Sequence, residues 1–227
     1  MPGQFWVIEG PDGAGKSTQA KLLVEKLQLL LAKEGKKCVL WHFPHYEGHP
    51  WGTLITEYLR GDLGGAQEVG PHYAALLYAA DRGQQAAEIQ AALDRGDWVI
   101  ADRYSPSNLA YQGAKIDSIT KRTEFYSWLT KVEDEHFLVV KPTGIIMLHM
   151  EARHTVQRVS ERDAGSHNTA DIHEQEVPYI ERVAQEYKTI TKLHSWPVIE
   201  CIEKEKHLGP KDVAAKIWAF IEPHLPL

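Results

Sequence analysis

The feature that most limits the fold of this chain is a glycine-rich loop between an apolar strand and a helix. Residues 10–17 read Gly-Pro-Asp-Gly-Ala-Gly-Lys-Ser and match the pattern G-x-x-x-x-G-K-S/T. An apolar run at 5–9 precedes the loop, and residues 16–33 carry leucines at helical spacing, so the loop joins a predicted strand to a predicted helix. Glycine allows successive backbone N–H groups to converge on an anion, and the helix N-terminus adds its positive dipole end. The loop therefore predicts a binding site for phosphate groups.

The residues of this phosphate loop indicate a nucleoside triphosphate and a metal ion. Lys16 supplies a mobile positive charge for the β- and γ-phosphates, and Ser17 supplies a hydroxyl ligand for Mg²⁺. We expect Lys16 to lie on a solvent-facing loop. The Asn-Lys-x-Asp motif that a GTPase would be expected to carry for guanine does not occur in the sequence. A nucleoside triphosphate with Mg²⁺ is predicted as the ligand. The residues expected to contact this nucleotide are Gly10, Pro11, Asp12, Gly13, Ala14, Gly15, Lys16, Ser17 and Thr18.

Short apolar runs that alternate with helical stretches predict the fold class. Such strands, apolar throughout and separated by helices, form a parallel sheet covered on both faces. Right-handed crossovers then give a doubly wound α/β fold with a five-stranded parallel sheet. No linker divides the chain, so a single domain over residues 1–227 is predicted. The predicted strands are 5–9, 38–43, 98–101, 145–150 and 198–202, and the predicted helices are 16–33, 50–59, 71–93, 108–113, 120–136, 151–162, 171–193 and 210–221.

The composition disfavours several other classes of protein. The net charge is −6, whereas a nucleic-acid-binding surface needs a basic stripe. No run approaches the roughly 18 apolar residues of a membrane helix, and the first residues lack the pattern of a secretory signal. Cys38 and Cys201 lie far apart in apolar stretches, which indicates reduced core cysteines. We therefore expect a cytoplasmic protein that binds neither nucleic acid nor membrane.

A second pair of polar residues follows the third predicted strand. Asp102 and Arg103 come directly after the apolar residues 98–101, at the carboxyl end of a strand, where open α/β sheets bind ligands. Asp102 is suited to hold the Mg²⁺ shell, and the guanidinium of Arg103 is suited to bind a second phosphate. A surface salt bridge within the pair is the alternative. Together with the phosphate loop, the pair favours a kinase.

Several segments, taken in order along the chain, resemble the thymidylate kinase family. The first is 9–18, and Phe43-Pro44-His45-Tyr46 follows it. The others are 76–82 (Leu-Leu-Tyr-Ala-Ala-Asp-Arg), 102–113 (Asp-Arg-Tyr-Ser-Pro-Ser-Asn-Leu-Ala-Tyr-Gln-Gly), Lys141-Pro142 and 171–174 (Asp-Ile-His-Glu). Each segment alone is a weak signal, whereas the ordered set extends over almost the whole chain. The resemblance implies Mg-ATP-dependent phosphorylation of dTMP to dTDP, by direct in-line transfer, in a homodimer.

The resemblance also implies roles for the residues around the acceptor's sugar and phosphate. Asp12 would contact the 3′-hydroxyl of the deoxyribose, and Arg103 would hold the dTMP phosphate. Tyr111 would pack where a 2′-hydroxyl would otherwise project. Many relatives have arginine at the position of Tyr46, so a hydroxyl hydrogen bond would replace an ionic contact there. The residues that would line the nucleotide site are Phe43, Tyr46 and Gln112.

The same resemblance assigns three residues to the thymine base. Tyr78 would stack on the ring, Arg82 would donate to O4, and Asn108 would meet the N3 edge. The residues by themselves leave alternatives open. Tyr78 and Tyr111 fit core aromatics, Arg82 fits an exposed helix cation, and Asn108 fits a helix cap.

A polar segment at about 158–171 is predicted as a short lid. Phosphoryl transfer requires positive charge around the equatorial oxygens and exclusion of water. Some thymidylate kinases carry an arginine in the phosphate loop where this chain has Gly13, so the lid is expected to supply the charge. Arg162 is assigned to the transferred phosphoryl group and Arg158 to ATP, with solvated helix arginines as the alternative. Glu174 is assigned to Mg²⁺, with helix capping as the alternative.

Two other functions are compatible with the sequence. A kinase for a different acceptor, such as a deoxynucleoside or another nucleoside monophosphate, would use the same phosphate loop. A nucleotide-sensing module would bind ATP without acceptor-dependent release of ADP. Three histidines lie close together at 42, 45 and 49, but no cysteine accompanies them and Pro44 interrupts the segment. A zinc site is therefore not predicted there.

Overall fold

The centre of the molecule is a five-stranded parallel sheet. The computed structural model describes residues 3–47, 49–65, 68–151, 153–155, 177–203 and 206–225. The strand order is β2-β3-β1-β4-β5 and every neighbouring pair is parallel, which confirms the predicted fold class. The strands are β1 Gln4–Glu9, β2 Cys38–His42, β3 Trp98–Asp102, β4 Gly144–His149 and β5 Val198–Glu200.

Helices cover both faces of this sheet, as the apolar strands predict. Side chains of β1 alternate between two cores: Trp6 and Ile8 pack with the helices on one face, and Phe5 and Val7 pack with those on the other. Burial on both faces explains why the strand is apolar throughout. The helices are α1 Lys16–Leu31, α2 Pro50–Arg60, α3 Pro71–Asp94, α4 Ser105–Gly113, α5 Ile119–Glu135, α6 Val177–His194 and α7 Pro210–Ile221.

The largest differences between the structure and the sequence-based expectation lie at the start of α4 and after β5. Helix α4 begins at Ser105, three residues before the predicted start, because Pro106 is well accommodated in a first helical turn, where no N–H is needed. The last predicted strand ends at Glu200. Beyond it, Ile202–Glu203 and Lys206–His207 pair as a short antiparallel hairpin, β6 and β7, which the sequence did not predict.

Some predicted features lie outside the part of the chain that is described. The lid at about 158–171 and most of the helix predicted at 151–162 belong to this group. Within the described ranges, no helix is both long enough and apolar enough to cross a membrane.

Candidate active site

The phosphate loop connects β1 to α1 at the carboxyl edge of the sheet. Three of its glycines have positive φ angles: 144° at Gly10, 75° at Gly13 and 87° at Gly15. At Gly10 a Cβ would lie 2.4 Å from the carbonyl oxygen of Leu148 on β4, whereas at Gly15 it would meet nothing within 4 Å. Among the described residues no side chain caps the N-terminus of α1. Its first N–H groups therefore face an open cradle that fits an anion.

Lys16 is the first residue of α1, and its environment differs from the expectation. The predicted solvent-facing position is wrong: Lys16 is only 6% exposed, and its Nζ donates to the carbonyl oxygen of Pro11 at 2.7 Å. Burial, followed by the positive charge of Arg103, lowers the pKa of Lys16 to about 8. The ammonium group is thus held inside the loop and partly desolvated, which strengthens its attraction for a bound anion.

Ser17 and Asp102 meet across the sheet edge. The Ser17 hydroxyl donates to Oδ2 of Asp102, and Nδ1 of His42 lies 3.0 Å from the same oxygen. Oδ1 of Asp102 is buried without a hydrogen-bond partner among the described residues. Burial acts to raise the pKa of Asp102, but the contacts with His42, Lys16 and Ser17 outweigh it and lower the pKa. A hydroxyl beside an ionised carboxylate with a free oxygen fits Mg²⁺.

Arg103 links the phosphate loop to the second half of the site. It has a left-handed backbone (φ 67°), which is rare outside glycine and typical of functional positions. Its guanidinium pairs with Oδ1 of Asp12, and the Tyr111 hydroxyl donates to Oδ2 of the same carboxylate. Burial acts to lower the pKa of Arg103, but the charge of Asp12 outweighs it and raises the pKa. The alternative of a surface salt bridge between Asp102 and Arg103 is therefore wrong.

A polar cluster that the sequence did not predict lies next to Arg103. Glu9 is fully buried, and its carboxylate accepts hydrogen bonds from the backbone of Tyr104 (2.6 Å), from Ser107 and from the Tyr187 hydroxyl. Tyr187 lies 3.5 Å from Arg103 and 2.9 Å from Ser107. Burial raises the pKa of Glu9. An acid that ends a buried strand was a visible signal for Glu9, whereas Tyr187, on distant α6, gave none.

A second group of buried polar side chains, called the second pocket below, lies on α3, α4 and α5. Arg82 is 2% exposed and pairs with Glu133, so the alternative of an exposed helix cation is wrong. Asn108 is buried within α4, and its amide donates to the carbonyl oxygen of Ala75 at 3.0 Å, so the helix-cap alternative is wrong too. Arg82 Nε, Asn108 Oδ1 and both amide atoms of Gln112 are buried without partners among the described residues. Buried polar atoms need partners, and a polar ligand bound between these residues would supply them.

Aromatic residues lie next to this pocket. Phe43 is buried and joined by a cis peptide bond to Pro44, whereas Tyr46 is 44% exposed. The half-buried Tyr78 packs edge-on against Tyr58 of α2, with ring centroids 6.4 Å apart. Asp81 of α3 accepts from the backbone N–H of His45 at 3.1 Å. This bond fastens the segment 43–46 to the helix that carries Tyr78 and Arg82.

The remaining predicted site residues are placed as follows. Arg158, Arg162 and Glu174 lie outside the described residues. His45 and His49 contact each other at 3.2 Å, whereas His42 contacts Asp102. Among the described residues no group of three or more metal-binding side chains converges.

The strand order, the phosphate loop after the central strand and the polar pocket beside it define a P-loop nucleotide kinase. A family model described as thymidylate kinase matches residues 8–208. The chain therefore belongs to the thymidylate kinase family, whose members phosphorylate dTMP to dTDP.

Individual proteins that are similar to this chain are also thymidylate kinases. The thymidylate kinase of Prochlorococcus marinus (strain SARG) is 33% identical over 227 residues, which cover 98% of this chain and 96% of that protein. The thymidylate kinase of Bifidobacterium longum (strain DJO10A) is 46% identical over 114 residues, and there the chain spans about half of the relative's length (52%). A structure of thymidylate kinase from Candida albicans has a TM-score of 0.71 and 25% identity, and covers 98% of this chain and 92% of that chain.

Proposed function

We propose that this chain phosphorylates dTMP to dTDP with Mg-ATP as the donor, by direct in-line transfer without a covalent intermediate. The observation that carries the proposal is a pair of buried atoms in the second pocket, the donor Arg82 Nε and the acceptor Asn108 Oδ1, which have no partner in the described part of the chain. Thymine presents an acceptor, O4, beside a donor, N3–H, and is complementary to this pair. Cytosine presents the reverse pattern at the same two positions.

The donor side of the proposal rests on the phosphate loop. The N–H groups of the loop and of the first turn of α1 bind the β- and γ-phosphates, and Lys16 places its charge among them. Ser17 and Asp102 hold Mg²⁺, which when bound neutralises charge on the phosphates. Arg162 is assigned to the transferred phosphoryl group and Arg158 to ATP, both on the family resemblance alone.

The acceptor side rests on the residues around Arg103. In the structure Arg103 is held by Asp12, and on substrate binding its guanidinium also takes the dTMP phosphate. The carboxylate of Asp12 then accepts a hydrogen bond from the 3′-hydroxyl of the sugar. Glu9 and Tyr187 hold Arg103 from below. Asp12 belongs to the phosphate loop, so its contact with Arg103 places the dTMP phosphate next to the loop that binds the phosphates of ATP.

The base is held by contacts on its edge and on its face. Arg82 donates to O4 and Asn108 accepts from N3–H, while Tyr78 stacks on the ring. Phe43 and Gln112 line the same pocket, and the exposed Tyr46 supplies a hydroxyl at its entrance. Glu174 assists Mg²⁺ on the family resemblance alone.

Release of ADP with a panel of acceptors tests this function. We expect rapid, Mg²⁺-dependent release with dTMP and little with thymidine, because Arg103 requires a phosphate on the acceptor. Fast turnover of thymidine with none of dTMP would indicate a deoxynucleoside kinase. Tight ATP binding without acceptor-dependent ADP release would indicate a nucleotide-sensing module.

Tyr111 should select the deoxyribose sugar. Its hydroxyl is fixed by Asp12, and its ring packs at 6.5 Å from that of Tyr179 and at 6.3 Å from that of Tyr187. A 2′-hydroxyl would meet this fixed ring, so ribothymidine monophosphate should be a poor substrate. Tyr111→Ala should narrow the gap in kcat/KM between the two sugars, and Tyr111→Phe, which keeps the ring, should preserve it. Equal use of both sugars by the parent enzyme would remove this role from Tyr111.

The proposal also includes a homodimer and a cytoplasmic location. The family resemblance supports the dimer, and light scattering on the purified chain measures its mass. Cys38 and Cys201 are both buried in the apolar core, as cysteines of a reducing compartment commonly are.

A further inference from the structure

Glu133 lies directly behind the two residues assigned to the base. It is on α5, far along the chain from both partners, and it is buried. Oε1 of its carboxylate accepts from the guanidinium of Arg82 and lies 3.5 Å from Nδ2 of Asn108. One carboxylate oxygen therefore reaches both side chains that present polar atoms to the pocket.

This contact fixes which atoms of Asn108 and Arg82 remain for a ligand. A carboxylate and a backbone carbonyl are both acceptors, so Glu133 and Ala75 both require the NH₂ end of the Asn108 amide. The carbonyl Oδ1 must then point away from them. Glu133 also pairs with one terminal NH₂ group of Arg82, and the Nε–H of Arg82 is a buried donor without a partner among the described residues.

The surroundings leave Arg82 and Glu133 little freedom to move. Helix α3 presses against the connection that follows α5: a Cβ at Gly83 would lie 2.8 Å from the carbonyl oxygen of Phe137. The guanidinium of Arg82 lies over the ring of Tyr104 at 5.9 Å. The backbone of Glu133 accepts from the N–H of Val139 at 2.9 Å. Glu133 is thus anchored at both its backbone and its side chain.

We propose that Glu133 is a positioning residue that sets the hydrogen-bond polarity of the base pocket. By holding the NH₂ groups of Arg82 and Asn108, it presents one donor and one acceptor to the ligand. A six-membered base with an acceptor beside a ring N–H fits this order, and one with an exocyclic amine beside an unprotonated ring nitrogen does not. The inference rests on the proposed base contacts and adds a residue that acts on them without touching the substrate.

Glu133→Gln tests this role because glutamine keeps the shape and adds a donor. If the new NH₂ group faces Asn108, the Asn108 amide must turn around so that its Oδ1 accepts from it. If the NH₂ group faces Arg82, two donors oppose each other and the hydrogen bond to Arg82 is lost. We expect the ratio of kcat/KM for dTMP to that for dCMP to fall at least tenfold, on the order of one hydrogen bond. Most of the loss for dTMP should lie in KM, since binding of the base is distant from the transferred phosphoryl group.

The control is Glu186→Gln, which changes another buried carboxylate. Glu186 pairs with Arg122 and accepts from the Tyr126 hydroxyl, so its loss should lower thermal stability in a similar way. A purely structural role for Glu133 predicts the same result for both variants: lower stability and an unchanged dTMP to dCMP ratio. That result would overturn the proposal.

Glu133→Asp provides a second test that retains the charge. Aspartate withdraws the carboxylate by one C–C bond, about 1.5 Å. Because the negative charge remains, the variant should fold even if Glu133→Gln does not. The ratio of kcat/KM for dTMP to that for dCMP should still fall. A wild-type ratio in folded Glu133→Asp would also contradict the proposal. If the parent enzyme itself uses dCMP as well as dTMP, the base contacts of Arg82 and Asn108 fail. If the parent discriminates and the Glu133 variants discriminate equally, only the role of Glu133 fails.

Discussion

Lys16→Ala is expected to reduce kcat by at least about a hundredfold, the effect of removing one preorganised donor from a transition state. The ammonium group is held inside the phosphate loop by Pro11, so its charge is already in place when the phosphates bind. Because the side chain is buried, Lys16→Met should be measured beside it, since methionine fills the space without the charge. The measurement is steady-state ADP release at saturating ATP and dTMP.

Lys21→Ala is the matched control, because it removes one positive charge from the exposed surface of the same helix. It should leave kcat close to that of the parent. Activity of both Lys16 variants within tenfold of the parent would show that the proposed phosphate-loop mechanism is wrong.

The pH dependence of ATP binding gives an independent measure of Lys16. Its pKa in the empty site is lowered to about 8, and bound phosphates favour the charged form. Affinity for ATP should therefore be nearly constant below pH 8 and fall as the pH rises above it. Lys16→Met should bind more weakly and lose this dependence.

The architecture could be predicted from the sequence because its signals are local. The apolar sequences at 5–9 and 98–101 predict strands that are buried on both faces. The phosphate-loop motif predicts the positions of β1 and α1 from residues 5–33 alone. The hairpin β6–β7 has no such signal, since each strand has only two residues. The sequence predicts the start of helix α4 three residues too late, because the residues around Ser105 are also typical of a turn.

The site was predicted in part, and the missing part consists of contacts between distant segments. Asp12, Arg103 and Tyr111 contact one another in the structure, and the substrate contacts that the resemblance gives them stay predictions. The residues that orient them come from positions that no local pattern marks. Tyr187 reaches Arg103 across 84 positions, and Glu133 reaches Arg82 across 51. Such pairs depend on helix packing, which one sequence does not reveal.

Discrimination between dTMP and dCMP is expected to be the largest effect, about 10⁴ in kcat/KM. Arg82 has only hydrogen-bond donors and no acceptor. Thymine O4 accepts from it, whereas the amine of cytosine would set donor against donor and leave a buried charged N–H unpaired. That costs more than the roughly 1–3 kcal/mol of a neutral group. With dUMP the O4 acceptor remains and only the methyl group is lost, about 1–3 kcal/mol. The order of kcat/KM should therefore be dTMP, then dUMP, then dCMP far behind.

Replacement of Arg82 should remove most of this discrimination. Arg82→Met alone leaves Glu133 buried and unpaired, which costs about 3–5 kcal/mol of stability, so the Arg82→Met/Glu133→Gln variant should be assayed beside it. In both variants kcat/KM for dTMP should fall strongly, and the ratio of kcat/KM for dTMP to that for dCMP should decrease. Arg122→Met, which breaks the ion pair with the buried Glu186, is the matched control and should keep the parent's preference. A parent enzyme that phosphorylated dCMP as well as dTMP would refute both the role of Arg82 and the assignment of dTMP as the specific acceptor, because the only base-edge donor proposed for O4 would then have no effect on selection.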